Sequence, residues 1–307
     1  MIRGFTTMNR LNIALLLLIF SSVSCCSSQE RKQQHNRVTQ TAAFTLPEIP
    51  MMLQSSKERA DYLVSHYWDN FNFADTTLIR KTEIIEQAFV DYLNLFPHTT
   101  NAVVEKSISS MLHKAIIGSK RMFLHFTELY EKYLYEPNSP FRNEFYYIIV
   151  LRAVIADEQV NELQKIRPRY QLETALKNRP GIIAADFEFT LKSGRKMRLS
   201  EINTLYTILF FNNPDCEECK QVKKRLSEFT ASNLKIVAIY PGEDNGLWKS
   251  TAYPQSWING YAGQALREQQ LYDLKAVPCL YLLDKDKRVV LKDMRVEEVV
   301  SYLQAFD

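Results

Sequence analysis

The chain lacks an excess of either charge. Across 307 residues, 38 lysines and arginines face 35 acidic residues, which gives a formal net charge of +3. The basic residues are spread along the sequence without forming a tract, which argues against a nucleic-acid-binding function. No repeat with the period of a solenoid protein is evident. With 46% hydrophobic residues, the chain can bury two cores, so we expect two domains.

Cysteine and histidine are also scarce, with five residues of each. Two of the cysteines lie near the N-terminus, which leaves Cys216, Cys219 and Cys279, too few for a fold held together by disulfides. A structural zinc site needs four ligands, and the Cys216/Cys219 pair has neither a second CxxC nor paired histidines to complete it. We therefore expect no metal site, and the close cysteine pair indicates redox chemistry.

The apolar run near the N-terminus, residues 11–20, is too short to span a membrane permanently but suits the core of a signal peptide. Small residues and then Cys25 follow it, an arrangement that resembles a bacterial lipobox. Residues 1–24 are therefore predicted to be a signal peptide and Cys25 the lipidated residue, with an ordinary secretory signal as the alternative. The expected location is the cell envelope, facing the periplasm and anchored to a membrane by lipid.

Residues 25–44 are polar and lack an apolar period, which is typical of a flexible tether. In residues 45–178, apolar residues recur at steps of three and four, which predicts a bundle of about six α-helices whose role the sequence does not indicate. Aromatic residues at helical spacing near its start are expected to be core residues. They are Tyr62, Tyr67, Trp68, Phe71 and Phe73.

Two capping patterns predict where helices begin in this half. Ser55 with Glu58 has the spacing of a capping box ahead of the first helix. Ser139-Pro140 predicts an N-cap followed by proline at the first helical position, and hence a helix over residues 141–156.

Residues 182–307 change to short β-rich runs in the order strand, helix, strand, helix, strand, strand, helix, which predicts an α/β domain with a mixed central sheet. Within it, the apolar run Tyr206–Phe211 predicts a buried strand. A turn follows, and Cys216 and Cys219 open an amphipathic helix. Free backbone N–H groups at the start of a helix favour a thiolate, so this pair is a candidate site for thiol–disulfide exchange.

This order of elements, with Val277-Pro278 entering a later strand, resembles the thioredoxin fold, and especially the TlpA-like branch of membrane-anchored periplasmic thiol–disulfide oxidoreductases. The helical half resembles an uncharacterised N-terminal domain of Bacteroidetes lipoproteins. The resemblance implies that Cys216 is the attacking thiolate and Cys219 the resolving thiol. It also implies that Pro278 is a cis-proline that lets the main chain of Val277 pair with substrate. No cofactor beyond a Cys216–Cys219 disulfide is implied, and the implied partners are protein disulfides and a membrane thiol electron donor.

The chain departs from this family beside the cysteines. Thioredoxin has a buried acid on the strand before the pair, where this chain has Phe210. A carboxylate about 4 Å from a sulfur disfavours its thiolate by about 1 kcal/mol, against the 0.3–1 kcal/mol or so that a helix terminus contributes. Asp215, Glu217 and Glu218, set against Lys220, should therefore leave Cys216 less acidified than in strongly oxidising relatives. The pair is therefore predicted to act as a reductant.

Cys279, directly after the implied cis-proline, is either a third reactive thiol or a small buried hydrophobic residue, and we expect the latter. The predicted function is reduction of substrate disulfides by an exported oxidoreductase. The alternative is a binding lipoprotein with a non-catalytic thioredoxin-like module. A peroxiredoxin is a weak match, because Leu209 and Asn213 stand where its proline and threonine would be.

Overall fold

The computed structural model describes residues 44–229, 231 and 233–305, which belong to one compact unit. The predicted signal peptide, the tether up to residue 43 and Cys25 lie outside the described residues. No helix in the described part of the chain is both long enough and apolar enough to cross a membrane.

The N-terminal half contains six α-helices among the described residues, as predicted. They are α1 Ser56–His66, α2 Thr82–Leu95, α3 Asn101–Gly118, α4 Lys120–Tyr130, α5 Glu144–Ala156 and α6 Glu162–Leu176. The capping box of Ser55 and Glu58 is present at α1. A π-helical turn, Glu131–Tyr135, continues α4 and carries the chain toward the second half of the molecule.

The predicted helix start at Ser139-Pro140 is wrong. Helix α5 begins at Glu144 and is capped by Asn143, whose side-chain oxygen accepts a backbone N–H of the first turn at 3.1 Å. Ser139 stabilises a turn instead, because its hydroxyl donates a hydrogen bond to the carbonyl of Tyr133 at 2.5 Å. An asparagine side chain reaches the free N–H groups of a helix as well as serine does, and here it lies nearer to the helix.

One aromatic-rich core fills the helical half. Tyr67, Trp68 and Phe73 are buried in it, and the rings of Trp68 and Phe126 lie 5.1 Å apart between centroids. Burying each such side chain contributes about 2–3 kcal/mol before conformational entropy is counted. The interpretation as core is confirmed for Tyr67, Trp68 and Phe73 and for the partly buried Phe71. It is wrong for Tyr62, which is only half-buried and packs its ring against His66 on the same helix.

The second half is built on a mixed seven-stranded sheet. Its strands are β1 Glu188–Leu191, β2 Lys196–Arg198, β3 Tyr206–Phe211, β4 Leu234–Tyr240, β5 Ile258–Tyr261, β6 Cys279–Leu283 and β7 Val289–Lys292. Their order across the sheet is β2-β1-β5-β4-β3-β6-β7, with β3, β4 and β5 parallel and the remaining pairs antiparallel. The helices of this half are α7 Glu217–Glu228, α8 Asn245–Ser250, α9 Ala265–Glu268 and α10 Val296–Gln304.

The sheet separates two cores because alternate residues of a strand point to opposite faces. On β3, Phe210 packs into the core shared with α7 and α10, and Phe211 packs into the core on the other face. Strand β6 runs antiparallel to β3 with Cys279 opposite Phe211. The end of β3, which leads to the CxxC turn, therefore lies beside the start of β6, which follows the Val277-Pro278 bond.

Candidate active site

Cys216 is the N-cap residue of α7. Its sulfur accepts a hydrogen bond from the backbone N–H of Cys219, with 3.3 Å between Sγ and N. The first N–H groups of a helix lack intrahelical partners, and the positive end of the helix dipole lies there. A thiolate at Cys216 would take the place that a serine or aspartate oxygen usually takes in a capping interaction.

Cys219 lies one helical turn further on and is buried. Its sulfur accepts a hydrogen bond from the backbone N–H of Asn213 at 3.4 Å. Burial raises the pKa of the Cys219 thiol to about 12, although the Asn213 N–H acts in the opposite direction. Cys219 is therefore protonated at neutral pH, whereas the half-buried Cys216 is open to a second molecule.

The Val277-Pro278 peptide bond is cis and lies against the first cysteine. The Cys216 thiol donates a hydrogen bond to the carbonyl of Val277, with 3.6 Å between Sγ and O. A cis-proline has no N–H of its own and turns the preceding main chain outward. Four residues that the sequence predicted to act together therefore lie together: Cys216, Cys219, Val277 and Pro278.

The three acidic residues next to the thiols point into solvent. Asp215, Glu217 and Glu218 are all exposed, and Glu217 forms an ion pair with Lys220 at 3.4 Å. Water and salt screen exposed charges strongly. Their influence on Cys216 is therefore weaker than the spacing of the sequence alone suggests.

Asn212 and Tyr253 adjoin the buried thiol, and sequence reasoning missed both of them. Asn212 is 2% exposed and its amide donates to the carbonyls of Phe210 and Ile239 at 3.1 and 3.2 Å. Tyr253 donates its hydroxyl to the Asn212 side-chain oxygen. Burial, with the nearby Cys219, raises the pKa of Tyr253 to about 12. The signal in the sequence was slight: a polar residue directly after an apolar strand.

Cys279 lies on the other side of the sheet from Cys219. It packs into the core that contains Phe211, whereas Cys219 packs into the core that contains Phe210. Burial, together with the Asp293 carboxylate to which the thiol donates a hydrogen bond, raises the pKa of Cys279 well above its usual range. Cys279 is thus a buried, protonated thiol with a polar partner. The expectation of a small buried hydrophobic residue did not predict its hydrogen bond to Asp293.

The helical half reaches this region through polar contacts of long sequence separation. Arg142 forms an ion pair with Asp293, the partner of Cys279. Lys275, two residues before Val277, donates a hydrogen bond to the carbonyl of Tyr135 at 3.0 Å. No motif in the sequence indicated these contacts, because their partners lie more than a hundred residues apart.

Comparison with known proteins identifies both halves. A family model described as a domain of unknown function, DUF5106, matches residues 24–178, which include all six helices α1–α6. A thioredoxin-like protein from Bacteroides caccae is 41% identical, and the alignment covers 86% of this chain and 99% of that chain with a TM-score of 0.79. The chain belongs to this DUF5106-containing, thioredoxin-like family. The DUF5106 match ends at the predicted domain boundary but begins at residue 24, so it also takes in the segment predicted to be a tether.

Shorter solved structures match less than half of the chain. The C-terminal domain of an uncharacterized protein from Bacteroides fragilis is 39% identical over 41% of this chain and 98% of its own length, with a TM-score of 0.40. The thioredoxin domain of a thiol–disulfide oxidoreductase from Bacteroides vulgatus is 15% identical over 42% of this chain and 97% of its own, with a TM-score of 0.36. No curated protein matches the chain. The predicted thioredoxin-like fold with a helical N-terminal domain is confirmed.

Proposed function

We propose that this protein is an exported thiol–disulfide oxidoreductase that reduces disulfides of protein substrates through Cys216 and Cys219. The observation that carries the proposal is the placement of the half-buried Cys216 sulfur at the N-cap of α7, 3.6 Å from the Val277 carbonyl of the cis-proline loop. The buried Cys219 lies one turn behind it. This arrangement supports attack by one thiol and resolution by the other.

In the proposed reaction, the Cys216 thiolate attacks one sulfur of a substrate disulfide. The substrate S–S bond breaks, a mixed disulfide forms, and the departing substrate sulfur takes up a proton. Cys219 then loses its proton and attacks the Cys216 sulfur, which releases the second substrate thiol and forms the Cys216–Cys219 disulfide. Two electrons and two protons pass from the dithiol to the substrate, and a thiol electron donor at the membrane restores the reduced protein.

The direction of the reaction depends on the charges near the Cys216 sulfur. A cationic neighbour would stabilise the Cys216 thiolate and make the pair a stronger oxidant. Lys220 is the nearest lysine in sequence, and it forms an ion pair with Glu217 instead. The exposed carboxylates of Asp215 and Glu218 slightly disfavour the Cys216 thiolate, which also makes the pair a weaker oxidant. We therefore propose that the pair acts as a reductant.

The proposed reaction is tested by trapping. Cys219→Ser removes the resolving thiol, so mixed disulfides at Cys216 should accumulate in cells, and mass spectrometry after non-reducing purification should identify the attached proteins. A Cys219→Ser/Cys279→Ala variant serves as the control and should trap the same adducts, because Cys279 lies on the other face of the sheet. Absence of adducts, together with no reduction of insulin by the wild-type protein, would favour a binding lipoprotein with a non-catalytic module.

The proposed location rests on the sequence pattern before Cys25. Removal of residues 1–24 and lipidation of Cys25 would place the protein at a membrane facing the periplasm, within reach of a membrane electron donor. Labelled fatty acid should be incorporated into the wild-type protein and not into Cys25→Ser. Equal labelling of the two proteins would contradict the anchor and leave the redox proposal intact.

A further inference from the structure

A cleft of about 750 Å³ lies beside the proposed active site, between the two halves of the described chain. One side is formed by the cis-proline loop, including Val277 and Pro278, and by the exposed face of α7. The other side includes the turn over residues 136–142 of the DUF5106 domain, which contributes Pro137, Asn138 and Arg142. The cleft therefore continues from the loop that contacts the Cys216 sulfur to a surface that the DUF5106 domain contributes.

This turn is fixed at both ends by polar contacts. On the side of α4, the hydroxyl of Ser139 donates to the carbonyl of Tyr133 at 2.5 Å. On the side of α5, the backbone N–H of Asn143 donates to the carbonyl of Leu134 at 3.0 Å. Arg142 then forms an ion pair with Asp293, and both side chains are less than a third exposed. The turn is thus a preformed wall of the cleft, which lowers the entropic cost of binding against it.

The cis-proline loop is attached to the same wall. Lys275 donates a hydrogen bond to the carbonyl of Tyr135 in the π-helical turn at 3.0 Å, and its ammonium group lies over the Tyr135 ring. The loop that faces the Cys216 sulfur and the turn of residues 136–142 are therefore held in one fixed relation. A substrate that reaches the sulfur along this cleft must pass the turn.

The chemistry of the cleft fits a polypeptide. Its volume lies within the range of roughly 300–1,000 Å³ that is typical of ligand sites, far more than the two sulfur atoms of a disulfide need. Its lining carries charges of both signs, such as Glu218 and Glu297 against Lys224 and Arg295. Such a lining favours a polar chain of mixed charge over an apolar small molecule or an anion.

We propose that the turn over residues 136–142 is a specificity element, and that the cleft binds the polypeptide segment next to the disulfide of a protein substrate. The inference rests on the proposed oxidoreductase function and assigns to the DUF5106 domain a part in selecting substrates. A small disulfide needs contact with Cys216 and the cis-proline loop alone. A protein disulfide would in addition gain contacts along the cleft, with Asn138 at its edge.

Asn138 provides the test because it is exposed and lines the cleft. Asn138→Trp would fill part of the cleft without removing any buried group. In single-turnover reactions of the pre-reduced full-length protein, we expect its rate constant with insulin to fall by about fivefold or more relative to wild type. Its rate constant with bis(2-hydroxyethyl) disulfide, the small disulfide of mercaptoethanol, should equal that of wild type. Asn94→Trp, at an exposed position on α2 outside the cleft lining, is the matched control and should behave as wild type with both substrates.

The outcomes separate this proposal from the one on which it rests. A wild-type protein that reduces neither substrate contradicts the oxidoreductase function itself. If the wild type reduces the small disulfide but not insulin, or if Asn138→Trp reduces both as fast as wild type, the cleft proposal is overturned and the redox function stands. An equal loss on both substrates also overturns it, because the turn would then act on the thiols and not on the polypeptide.

A direct contact measurement gives a second test. A photoreactive benzoylphenylalanine is placed at position 138 or, as control, at position 94, in the Cys219→Ser background. After a mixed disulfide with insulin has formed at Cys216, irradiation followed by reduction should leave insulin cross-linked through position 138 and not through position 94. Cross-linking at neither position would overturn the proposal.

Discussion

The two halves of the chain differ in which groups they bury and which groups they place at the ends of helices and strands. In the helical half, aromatic rings fill the interior, and polar side chains such as Ser55 and Asn143 cap helices. In the thioredoxin-like half, two thiols and a cis-proline lie at the ends of β3, α7 and β6, next to a buried core. The proposed redox chemistry therefore depends on the ends of these elements, where backbone groups are free to face a sulfur.

The contacts between the two halves also differ in kind from the packing within each half. The helical half has one hydrophobic core and the thioredoxin-like half has two, and polar contacts link the two halves. The ammonium group of Lys292 on β7 donates to the carbonyls of Ala175 and Lys177 at 3.0 and 2.8 Å and forms an ion pair with Glu144 at 2.9 Å. A buried ammonium group with three partners fixes the register of the two halves, because a shifted arrangement would leave it unpaired.

Glycine-to-alanine substitutions in the two halves test how independent the cores are. A Cβ added at Gly118, the last residue of α3, would lie 2.7 Å from the backbone carbon of Phe73, which cannot move alone. A Cβ added at Gly260 on β5 would meet side-chain atoms of Phe189 and Ile239 at 2.4 and 2.7 Å. We expect Gly118→Ala to lower the free energy of unfolding by about 2–3 kcal/mol and Gly260→Ala by about 1–2 kcal/mol.

Urea unfolding followed by circular dichroism measures both variants. Because the described residues, 44–229, 231 and 233–305, belong to one compact unit, each variant should unfold in a single transition shifted as a whole. If the tryptophan fluorescence and the circular dichroism of Gly118→Ala change in two separate transitions, the halves unfold independently. A larger loss of stability for Gly260→Ala than for Gly118→Ala would contradict the expectation that backbone atoms move aside less easily than side chains.

Much of the thioredoxin-like half could be predicted from local pattern. The apolar run of β3 has the predicted bounds, Tyr206–Phe211, and the Val277-Pro278 bond that the family resemblance implies to be cis is cis. Strand β5 was missed, because its four residues, Ile258–Tyr261, include an asparagine and a glycine, which are poor strand formers. Gly260 is there because Phe189 and Ile239 pack too close to its backbone for any side chain, and this is a fact of tertiary structure.

The part of the site that sequence could not predict is the part that crosses between the halves. The ion pair of Arg142 with Asp293 joins residues 151 positions apart, and the hydrogen bond of Lys275 to Tyr135 joins residues 140 apart. Periodicity reports which face of an element is buried but not which element covers it. The wrong start of α5 had the same cause, since the turn of residues 136–142 is held by contacts that its own sequence does not show.

Lys275 provides a smaller and more local test of the contact between the halves. Burial lowers the pKa of its ammonium group from 10.5 to about 8, although Asp273 acts in the opposite direction. Between these two pH values the unfolded chain binds a proton that the folded chain has lost. Raising the pH through this window therefore stabilises the folded state, and the gain is complete above the unfolded pKa.

The expected result is a difference between two pH profiles. Between pH 8 and 10, the free energy of unfolding of the wild type should rise relative to that of Lys275→Met by about 1–2 kcal/mol, less than the full shift because the side chain is 26% exposed. Other groups that titrate in this range, including the buried thiol of Cys219, contribute equally to both proteins and cancel in the difference. Lys57→Met, at a lysine whose side chain is 62% exposed, is the control, and its pH profile should run parallel to that of wild type.

Parallel profiles for Lys275→Met and wild type would mean that the loop before the cis-proline is solvated and that the helical half does not cover it. The cleft beside Cys216 would then lack its second wall, so this measurement of stability also tests the geometry on which substrate selection is proposed to depend.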